Sequence, residues 1–236
     1  MTSTKDEEEY ALVGMGKNTK ELKMMNFNEA MATEKKGHWK KAVDKEHDRM
    51  VPPNGKNSPV WVVVKRKDLP AGVKVMKTTW TMKLKPNGTY RARIIARDYE
   101  QIDGIHFDGS SISSPVRNEF TVRVILVLGL MADWVFDLID VHGAFLLGLF
   151  EDDEEIYIEV LQGFKKRYEH LGDVVLKLVR TIFGTKQAAM VYWREQSKAM
   201  RDMHYDRSSC DPCLNYKWTD NGLTMWLSWV DDNFSG

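Results

Sequence analysis

The sequence predicts an α+β fold, and three observations support that class. Segments with a strand period and segments with a helix period follow one another along 236 residues without regular βαβ alternation, which favours separate α and β regions. Alternating apolar and basic residues between Met76 and Arg97 are typical of a β-hairpin. A composition that is 43% hydrophobic and 29% charged can supply a core and excludes wholesale disorder.

The N-terminal region is predicted to contain a flexible leader, residues 1–26, followed by two helices. The leader has few large apolar side chains and no clear period. Asn28 is expected to cap a short helix from Glu29 to Glu34, and Gly37 is expected to separate it from a second helix that reaches Met50.

A β-hairpin is the clearest local feature of the chain. After a β-branched strand at residues 60–64, apolar and polar residues alternate, Asn87-Gly88 predicts a tight turn, and a second alternating strand follows. Side chains alternate across a strand, so one face of the hairpin is apolar. The other face carries six basic residues: Lys77, Lys83, Lys85, Arg91, Arg93 and Arg97. Solubility does not require six like charges on one face, whereas a phosphate backbone attracts them.

The second half of the chain predicts further helices and strands. A helix that opens at Ser114-Pro115 is expected to bury Phe120, Val124, Leu128 and Met131. A buried strand at 134–141 contains Asp140, and a loop or short helix follows at 143–148. Later strands are predicted at 156–160, 173–179 and 223–230. An amphipathic helix at 186–204 is expected to turn Ala189, Tyr192, Ala199 and Met203 inward.

The net charge of zero hides two blocks of opposite sign. Residues 35–97 carry 17 Lys and Arg against 4 Asp and Glu, whereas residues 98–164 carry 2 Arg against 14 Asp and Glu. This asymmetry suggests one part that faces a polyanion and an acidic part with a separate task. Charge counts alone also allow both blocks to be solvated faces.

Composition and short patterns exclude several classes of protein. The longest apolar run, residues 124–136, contains Asp133 and is too short to span a membrane. Residues 1–10 are acidic and lack the apolar segment of a secretory signal. Two cysteines cannot form a disulfide framework, which favours a reducing compartment. The Cys210–Cys213 spacing occurs once, without a second pair, and is more consistent with a turn than with zinc binding.

Three aspartates at the ends of predicted strands form the strongest candidate site. Asp140, Asp231 and Asp232 each follow an apolar β run, although aspartate is depleted in strands. Clustered carboxylates repel one another unless a cation neutralises them, and Mg²⁺ prefers such oxygen ligands together with substrate phosphates. Two metal ions held in this way stabilise phosphoryl transfer. The alternative is a strand-end cap at Asp140 and a polar turn at Asp231-Asp232.

Several motifs resemble those of copia-type LTR-retrotransposon reverse transcriptases. LIDVHGAFLLG (138–148) resembles LDVKTAFLNG, WVDD (229–232) resembles the YVDD box, FGTKQAA (183–189) resembles YGLKQAP, and YRARIIARDYEQ (90–101) resembles YKARLVARGYEQ. Five shorter matches follow the family's order: Trp61-Val62-Val63, Asp68-Leu69-Pro70, Ser114-Pro115-Val116, Glu155-Ile156-Tyr157 and Asp211-Pro212-Cys213. The resemblance covers residues 27–236, and so many motifs in order are highly specific.

The resemblance implies a right-hand polymerase fold, with fingers at about residues 27–115 and a partial palm at about residues 116–236. It implies an RNA-directed DNA polymerase that uses Mg²⁺ or Mn²⁺ to add dNTPs to a primer 3′ end. Asp140, Asp231 and Asp232 would be the catalytic, metal-binding residues. The implied nucleotide-binding residues are Arg93 and Arg91 at the triphosphate, Phe145 as a gate against the ribose 2′-hydroxyl, Gly184 and Gln187. The implied nucleic-acid contacts are Lys77, Lys83, Lys85 and Arg97.

Departures from the family motifs predict a truncated, inactive copy. His142-Gly143 replaces Lys-Thr, Asp98 replaces a glycine, and Trp229 replaces the tyrosine of the YVDD box. The chain ends at Gly236, so the return strand of the catalytic hairpin, the primer grip, the thumb and the RNase H domain are expected to be missing. The last strand is then expected to lack a partner. The alternative hypothesis is a non-catalytic remnant that binds nucleic acid non-specifically through the basic hairpin.

The resemblance also implies partners and a location. The partners are an RNA or DNA primer–template, dNTPs and the other segments of a retrotransposon polyprotein, and no membrane is expected. The family assembles cytoplasmic virus-like particles before its DNA product reaches the nucleus.

Overall fold

The computed structural model describes residues 24–53, 58–110, 112–150, 154–220 and 222–236, so most of the predicted leader lies outside the described residues. These residues form five α-helices: α1 (Phe27–Met31), α2 (Lys36–Met50), α3 (Glu119–Met131), α4 (Lys165–Tyr168) and α5 (Ala188–Asp202). They also form eleven strands: β1 (Trp61–Lys65), β2 (Val75–Met76), β3 (Thr78–Leu84), β4 (Tyr90–Ala96), β5 (Asp137–Asp140), β6 (Ile156–Glu159), β7 (Val174–Leu178), β8 (Asp206–Arg207), β9 (Leu214–Thr219), β10 (Gly222–Trp229) and β11 (Asp232–Ser235). The predicted mixture of α and β structure is confirmed.

The strands form three sheets. A four-stranded sheet has the order β1-β7-β6-β2, and a five-stranded antiparallel sheet has the order β5-β11-β10-β9-β8. Strands β3 and β4 form a separate hairpin, here called the basic hairpin. Its apolar face is confirmed, because Trp80 lies opposite Ile94 and Met82 lies opposite Ala92, and all four side chains are buried.

The main hydrophobic core lies between α2, the four-stranded sheet and the apolar face of the basic hairpin. Trp39, Trp61 and Phe164 are among its largest fully buried side chains. The indole Nε1 of Trp80 donates a hydrogen bond to the carbonyl oxygen of Gln162 at 2.8 Å, so its polar atom is satisfied inside the core. This packing holds α2 against the hairpin and thereby positions the polar side chains of both.

A second, smaller core supports the five-stranded sheet. Ile125 of α3 packs there with Cys213 and Leu227, and Phe136 and Phe234 stack with ring centroids 4.5 Å apart. α3 approaches this cluster closely, because a Cβ on Gly129 would lie 1.9 Å from an atom of the Phe136 ring. Gly129 is therefore the residue that allows the helix to contact the aromatic pair.

The predicted buried face of α3 is wrong. Phe120 and Met131 are 72% and 78% exposed, whereas Ile125 and Gly129 are the buried residues. The helix also begins at Glu119 rather than at Ser114-Pro115, with the side chain of Asn118 accepting the amide of Phe120. Since α3 is apolar around most of its circumference, helical spacing could not indicate which side meets the sheet.

Two further helix predictions are wrong in detail. Asn26, not Asn28, caps α1, because its side chain accepts the amide of Glu29 while the Glu29 carboxylate accepts the amide of Asn26. Gly37 lies inside α2 instead of separating two helices. In α5 the buried residues are Ala188, Val191, Tyr192, Ser197 and Met200, so Ala199 and Met203 do not point inward as predicted.

Two strand predictions are also wrong. Met76 does not belong to the basic hairpin, since β2 pairs in parallel with β6 in the four-stranded sheet. β5 is an edge strand rather than a buried one, and its Leu138 is 85% exposed. The acidic run at residues 151–155, before β6, lies partly outside the described residues. None of the helices in the described part of the chain has the length and apolar character to cross a bilayer.

The last predicted strand has a partner, contrary to the expectation from the sequence. The chain turns after β10 and returns as β11, which pairs with β10 on one side and β5 on the other. Gly236 continues this pairing through two backbone hydrogen bonds with Met225. β11 is short and mostly polar, so it carries little strand signal, and its backbone is satisfied by its neighbours in the sheet.

Candidate active site

A cleft of about 700 Å³ is lined by two of the predicted nucleotide contacts, Arg91 and Arg93, and by two of the predicted metal ligands, Asp140 and Asp231. One side is formed by α2 and the basic hairpin, and the other by the end of β5 and the turn between β10 and β11. Its charged lining residues are Lys45, Glu46, Asp48, Arg49, Lys85, Arg91, Arg93, Asp140 and Asp231. A basic wall therefore shares one cleft with two carboxylates.

Sheet register brings the carboxylate-bearing segments together. Asp140, the last residue of β5, lies opposite Asp232, and the amide of Val141 donates to the carbonyl oxygen of Asp231 at 2.8 Å. Val230, just before Asp231, has φ 54°. A β-branched residue in the left-handed region costs about 1–2 kcal/mol, so the turn that carries Asp231 is strained. Such strain often occurs at functional sites.

The three predicted carboxylates do not all lie in the cleft. Asp140 and Asp231 line it, whereas Asp232 is exposed on the neighbouring strand. The Asp140 carboxylate is 61% exposed, with Nδ1 of His142 at 3.1 Å. Within the described ranges, no three His, Cys, Asp or Glu side chains are grouped closely enough to hold a metal ion. Two carboxylates still suit Mg²⁺, which often binds through one or two carboxylates plus substrate phosphates.

Two arginines of β4 form the basic side of the cleft. Burial lowers the pKa of Arg91, and the nearby charge of Arg49 lowers it further. The pKa of Arg91 is raised in turn by the negative charges of Glu46, Asp140 and Asp231. The Arg91 guanidinium therefore interacts with carboxylates on both sides of the cleft. The charges of Arg49 and Arg91 and of these three carboxylates therefore interact with one another.

Arg93 is oriented by an aromatic ring. Its guanidinium carbon lies 4.3 Å from the centroid of the Phe183 ring, a cation–π contact. Phe145 meets the same ring edge-on, with centroids 5.4 Å apart. Phe145 therefore adjoins the support of Arg93, although it does not itself line the cleft.

The predicted nucleic-acid contacts are distributed over the basic hairpin. Lys85 lines the cleft, Lys83 is exposed on the hairpin, and Lys77 is exposed between β2 and β3. Arg97 forms an ion pair with Glu100, because its Nη1 lies 3.5 Å from the Glu100 carboxylate. Lys83 lies directly opposite Arg91 in the register, and like charges in this arrangement are destabilising. The register of these two cations therefore costs some stability.

Gly184 and Gln187 lie outside the cleft lining. Gln187 is 3% exposed, its side-chain nitrogen donates to the carbonyl oxygen of His106, and its side-chain oxygen accepts from Gln101, both at 2.9 Å. The amide of Ala96 donates to the carbonyl oxygen of Phe183 at 2.7 Å, next to Gly184. These bonds fix the loop that presents Phe183 to Arg93. The nucleotide contact implied for Gln187 stays a prediction.

Substitution of Gly184 is expected to destabilise the protein strongly. Gly184 has φ 84°, and a Cβ there would lie 2.5 Å from the carbonyl oxygen of Ala96, so Gly184→Ala combines a left-handed alanine with a backbone clash. Gly88 is the matched control, because its φ is 78° and a Cβ there would have no atom within 4 Å. We expect Gly88→Ala to lose about 1–2 kcal/mol of unfolding free energy and Gly184→Ala about 1–3 kcal/mol more. Equal losses in urea denaturation would contradict the close packing.

Sequence reasoning did not identify the contribution of α2 to the cleft. Lys45 and Arg49 line it, with the buried Glu46 between them. The four-residue spacing of Lys41, Lys45 and Arg49 is the available signal, because it places the three basic residues on one side of a helix. That spacing does not reveal what the basic side faces.

The cysteine pair behaves as the turn that was predicted. Cys210 is exposed and Cys213 is buried, and the amide of Cys213 donates to the carboxylate of Asp211 at 2.9 Å. Burial raises the pKa of the Cys213 thiol to about 11, so this thiol remains protonated near neutral pH.

The mixed fold and the cleft are consistent with one class of protein. A basic wall beside paired carboxylates is suited to a polyphosphate with a divalent cation, which is the requirement of nucleotidyl transfer. A family model described as "Reverse transcriptase (RNA-dependent DNA polymerase)" matches residues 58–235. The chain belongs to this family, as a reverse transcriptase domain of the copia type.

Relatives with assigned names are consistent with this membership. The chain is 31% identical over 230 residues to "Retrovirus-related Pol polyprotein from transposon TNT 1-94" of Nicotiana tabacum, which covers 95% of the chain and 16% of the relative. It is 28% and 27% identical over 168 residues to the corresponding polyproteins from transposons RE2 and RE1 of Arabidopsis thaliana. Those matches cover 69% of the chain and 11% of each relative. The chain therefore spans a small part of each relative's length.

Proposed function

We propose that this chain is the RNA-directed DNA polymerase domain of a retrotransposon polyprotein and that it adds dNTPs to a primer 3′ end. The observation that carries the proposal is that Arg91 and Arg93 line the same cleft as Asp140 and Asp231. In the proposed reaction the primer 3′-hydroxyl releases its proton to solvent, and its oxygen forms a bond to the α-phosphorus of the nucleotide. The bond from that phosphorus to the bridging oxygen breaks, and pyrophosphate leaves.

The donor set of the cleft fits Mg²⁺ or Mn²⁺. Asp140 and Asp231 would hold the cations, with Asp232 on the adjacent strand, and both lining residues offer the carboxylate oxygens that these ions prefer. Bound divalent cations would supply neutralisation of the charge on the reacting phosphate. The protein contributes the position of Asp140 and Asp231, which is fixed by β5–β11 pairing and by the bond between Val141 and Asp231.

The basic wall would bind and orient the nucleotide. Arg91 and Arg93 are suited to the triphosphate, because guanidinium groups donate paired hydrogen bonds to phosphate oxygens. The Phe183 ring limits the orientations that Arg93 can adopt. We assign to Phe145 the crowding of a ribose 2′-hydroxyl, with its edge-on contact to Phe183 as support. Lys83 of the basic hairpin and Lys77 directly before it are exposed and would follow the phosphates of the template.

In this proposal the basic hairpin with α2 forms the fingers and the five-stranded sheet forms the palm. The partners are a primer–template, dNTPs and the remaining segments of the polyprotein. The proposed location is a cytoplasmic virus-like particle, followed by a nuclear stage.

Primer extension by the purified chain tests the proposal. The assay uses a DNA primer on an RNA template, with Mg²⁺ and then Mn²⁺, and compares the four dNTPs with the four rNTPs. Extension with dNTPs supports a working nucleotidyl-transfer site. The absence of extension by a folded chain supports instead the sequence-based prediction of an inactive copy.

The second candidate is a non-catalytic remnant that binds nucleic acid. The opposed pair Lys83 and Arg91 favours it, since like charges across a strand pair suit an anion whether or not chemistry follows. The candidates differ in their dependence on Asp231, because binding through Lys and Arg does not require this carboxylate.

A further inference from the structure

Arg49 connects α2 to both sides of the cleft. Its Nη2 donates a hydrogen bond to a carboxylate oxygen of Glu46 at 2.7 Å, and its guanidinium carbon lies 5.8 Å from the centroid of the Phe183 ring. Its Nη1 lies 3.7 Å from the point where a Cβ on Gly143 would be. Gly143 follows Asp140 by three residues. Arg49 thus lies between the ring that orients Arg93 and the loop that follows Asp140.

The geometry of the pair leaves the cation available to a ligand. The Arg49 side chain is 32% exposed, whereas the Glu46 side chain is 5% exposed. A guanidinium has five N–H donors. In the described structure Nη2 of Arg49 donates to Glu46, and Nε is buried, so the exposed part of the guanidinium is at its Nη atoms. Of the two lining residues, Arg49 is therefore the more accessible from the cleft.

Glu46 holds Arg49 from inside the protein. Its carboxylate accepts from Arg49 and lies 3.4 Å from the amide of Ile94, on the outer edge of β4. Burial raises the pKa of Glu46, and the charge and hydrogen bond of Arg49 oppose that change. A buried carboxylate bonded to both α2 and β4 fixes the guanidinium relative to the basic hairpin.

Several cations share this part of the cleft. The charge of Arg49 acts on Arg91, and Lys45 and Lys85 line the same space. Glu46 and Asp48 are the carboxylates on this side, with Asp140 and Asp231 on the other. Repulsion among partly buried cations is relieved by an anion with several negative oxygens, and the tail of a nucleoside triphosphate is such an anion.

We propose that Arg49 is a third guanidinium of the polyphosphate site, beside Arg91 and Arg93, and that Glu46 is the residue that positions it. The inference rests on the proposed nucleotidyl-transfer function and extends it, because it assigns the triphosphate of the incoming nucleotide a contact on α2. Arg49 binds phosphate oxygens, whereas Glu46 acts through Arg49 and does not touch the ligand.

Titration calorimetry with inorganic tripolyphosphate tests this assignment without requiring polymerase activity. The main variant is the double substitution Glu46→Gln with Arg49→Gln, which removes the cation without leaving a buried carboxylate unpaired. The matched control is the double substitution Asp44→Asn with Arg167→Gln. Asp44 lies on α2 and Arg167 on α4, both are exposed, and Nη2 of Arg167 lies 2.6 Å from Oδ1 of Asp44. Neither residue lines the cleft. Arg93→Ala is the positive control.

We expect the Glu46/Arg49 double variant to bind tripolyphosphate about tenfold more weakly than the wild type, the loss typical of one charge-assisted hydrogen bond. The Asp44/Arg167 control should bind within about twofold of the wild type. Arg49→Lys, which keeps the pairing with Glu46 but lacks the planar fork, should lose at least about threefold. If circular dichroism shows that the double variant is unfolded, Arg49→Lys alone tests whether Arg49 contributes to tripolyphosphate binding.

Wild-type affinity in a folded double variant, or in Arg49→Lys, would overturn the role of Arg49. If Arg93→Ala weakens binding while the Arg49 variants do not, the polyphosphate site remains and only this inference fails. If the wild-type chain does not bind tripolyphosphate, both the inference and the proposed nucleotide site fail.

Discussion

Replacing Asp231 by asparagine is expected to abolish primer extension by this chain, and Asp140→Asn is expected to do the same. Asparagine keeps the size of the side chain but removes the negative charge that neutralises a divalent cation. Loss of an outer-shell partner of a metal ligand already costs about 10–100-fold in metal affinity or activity. Removal of a ligand should therefore reduce extension by at least about 10²-fold. Extension is measured on an RNA template with Mg²⁺ and with Mn²⁺.

Asp137→Asn is the matched control for this prediction. Asp137 lies on the same strand as Asp140, is exposed and does not line the cleft. It should leave extension unchanged, since an exposed charge outside the site contributes little. Mg²⁺-dependent binding of a dNTP is a second readout that needs no turnover, and it should weaken in the Asp140 and Asp231 variants alone. Unchanged extension or binding in both variants would exclude these carboxylates as the metal site.

Nucleic-acid binding is expected to fall by about 10³-fold between 50 mM and 200 mM salt if the basic hairpin contacts about six phosphates. Each neutralised phosphate releases counterions, and the slope of affinity against salt reports their number. Fluorescence anisotropy with a primer–template measures this slope. Lys83→Ala and Lys77→Ala should each reduce it by about one, because Lys83 is exposed on the hairpin and Lys77 is exposed directly before it.

Lys165→Ala with Lys166→Ala is the control, since both residues lie on α4 and neither belongs to the hairpin or lines the cleft. This variant should keep the wild-type slope. Asp231→Asn should also keep it, because the salt dependence arises from Lys and Arg. A slope near zero in the wild-type chain, or an equal change in the α4 variant, would contradict the assignment of the hairpin to nucleic acid.

The basic hairpin shows how much local sequence could predict. Its alternation and its Asn-Gly turn are contained in about 20 consecutive residues, and both faces of the hairpin follow from the two-residue period of a strand. The predicted apolar face is therefore confirmed, because Trp80 lies opposite Ile94 and both side chains are buried. The contact of α2 with the outer edge of β4 is visible only in the structure.

α3 shows where the same reasoning was insufficient. Helical spacing identified an apolar helix but selected the face containing Phe120 and Met131, which is exposed. The buried side is decided by Gly129, whose missing side chain admits the ring of Phe136. A contact between distant segments of this kind is not present in any local pattern.

At the candidate active site, residue types and motif order are enough to name the candidates: two acidic motifs, a basic strand and an aromatic loop, in the order of the reverse transcriptase family. Tertiary structure decided which of them meet. Pairing of β11 with β5 aligns the segments of Asp140 and Asp231, and packing of α2 against β4 adds Arg49 to the same cleft. The physical reason is that residue type and period are local properties, whereas a site depends on register and packing between segments that are far apart in the chain.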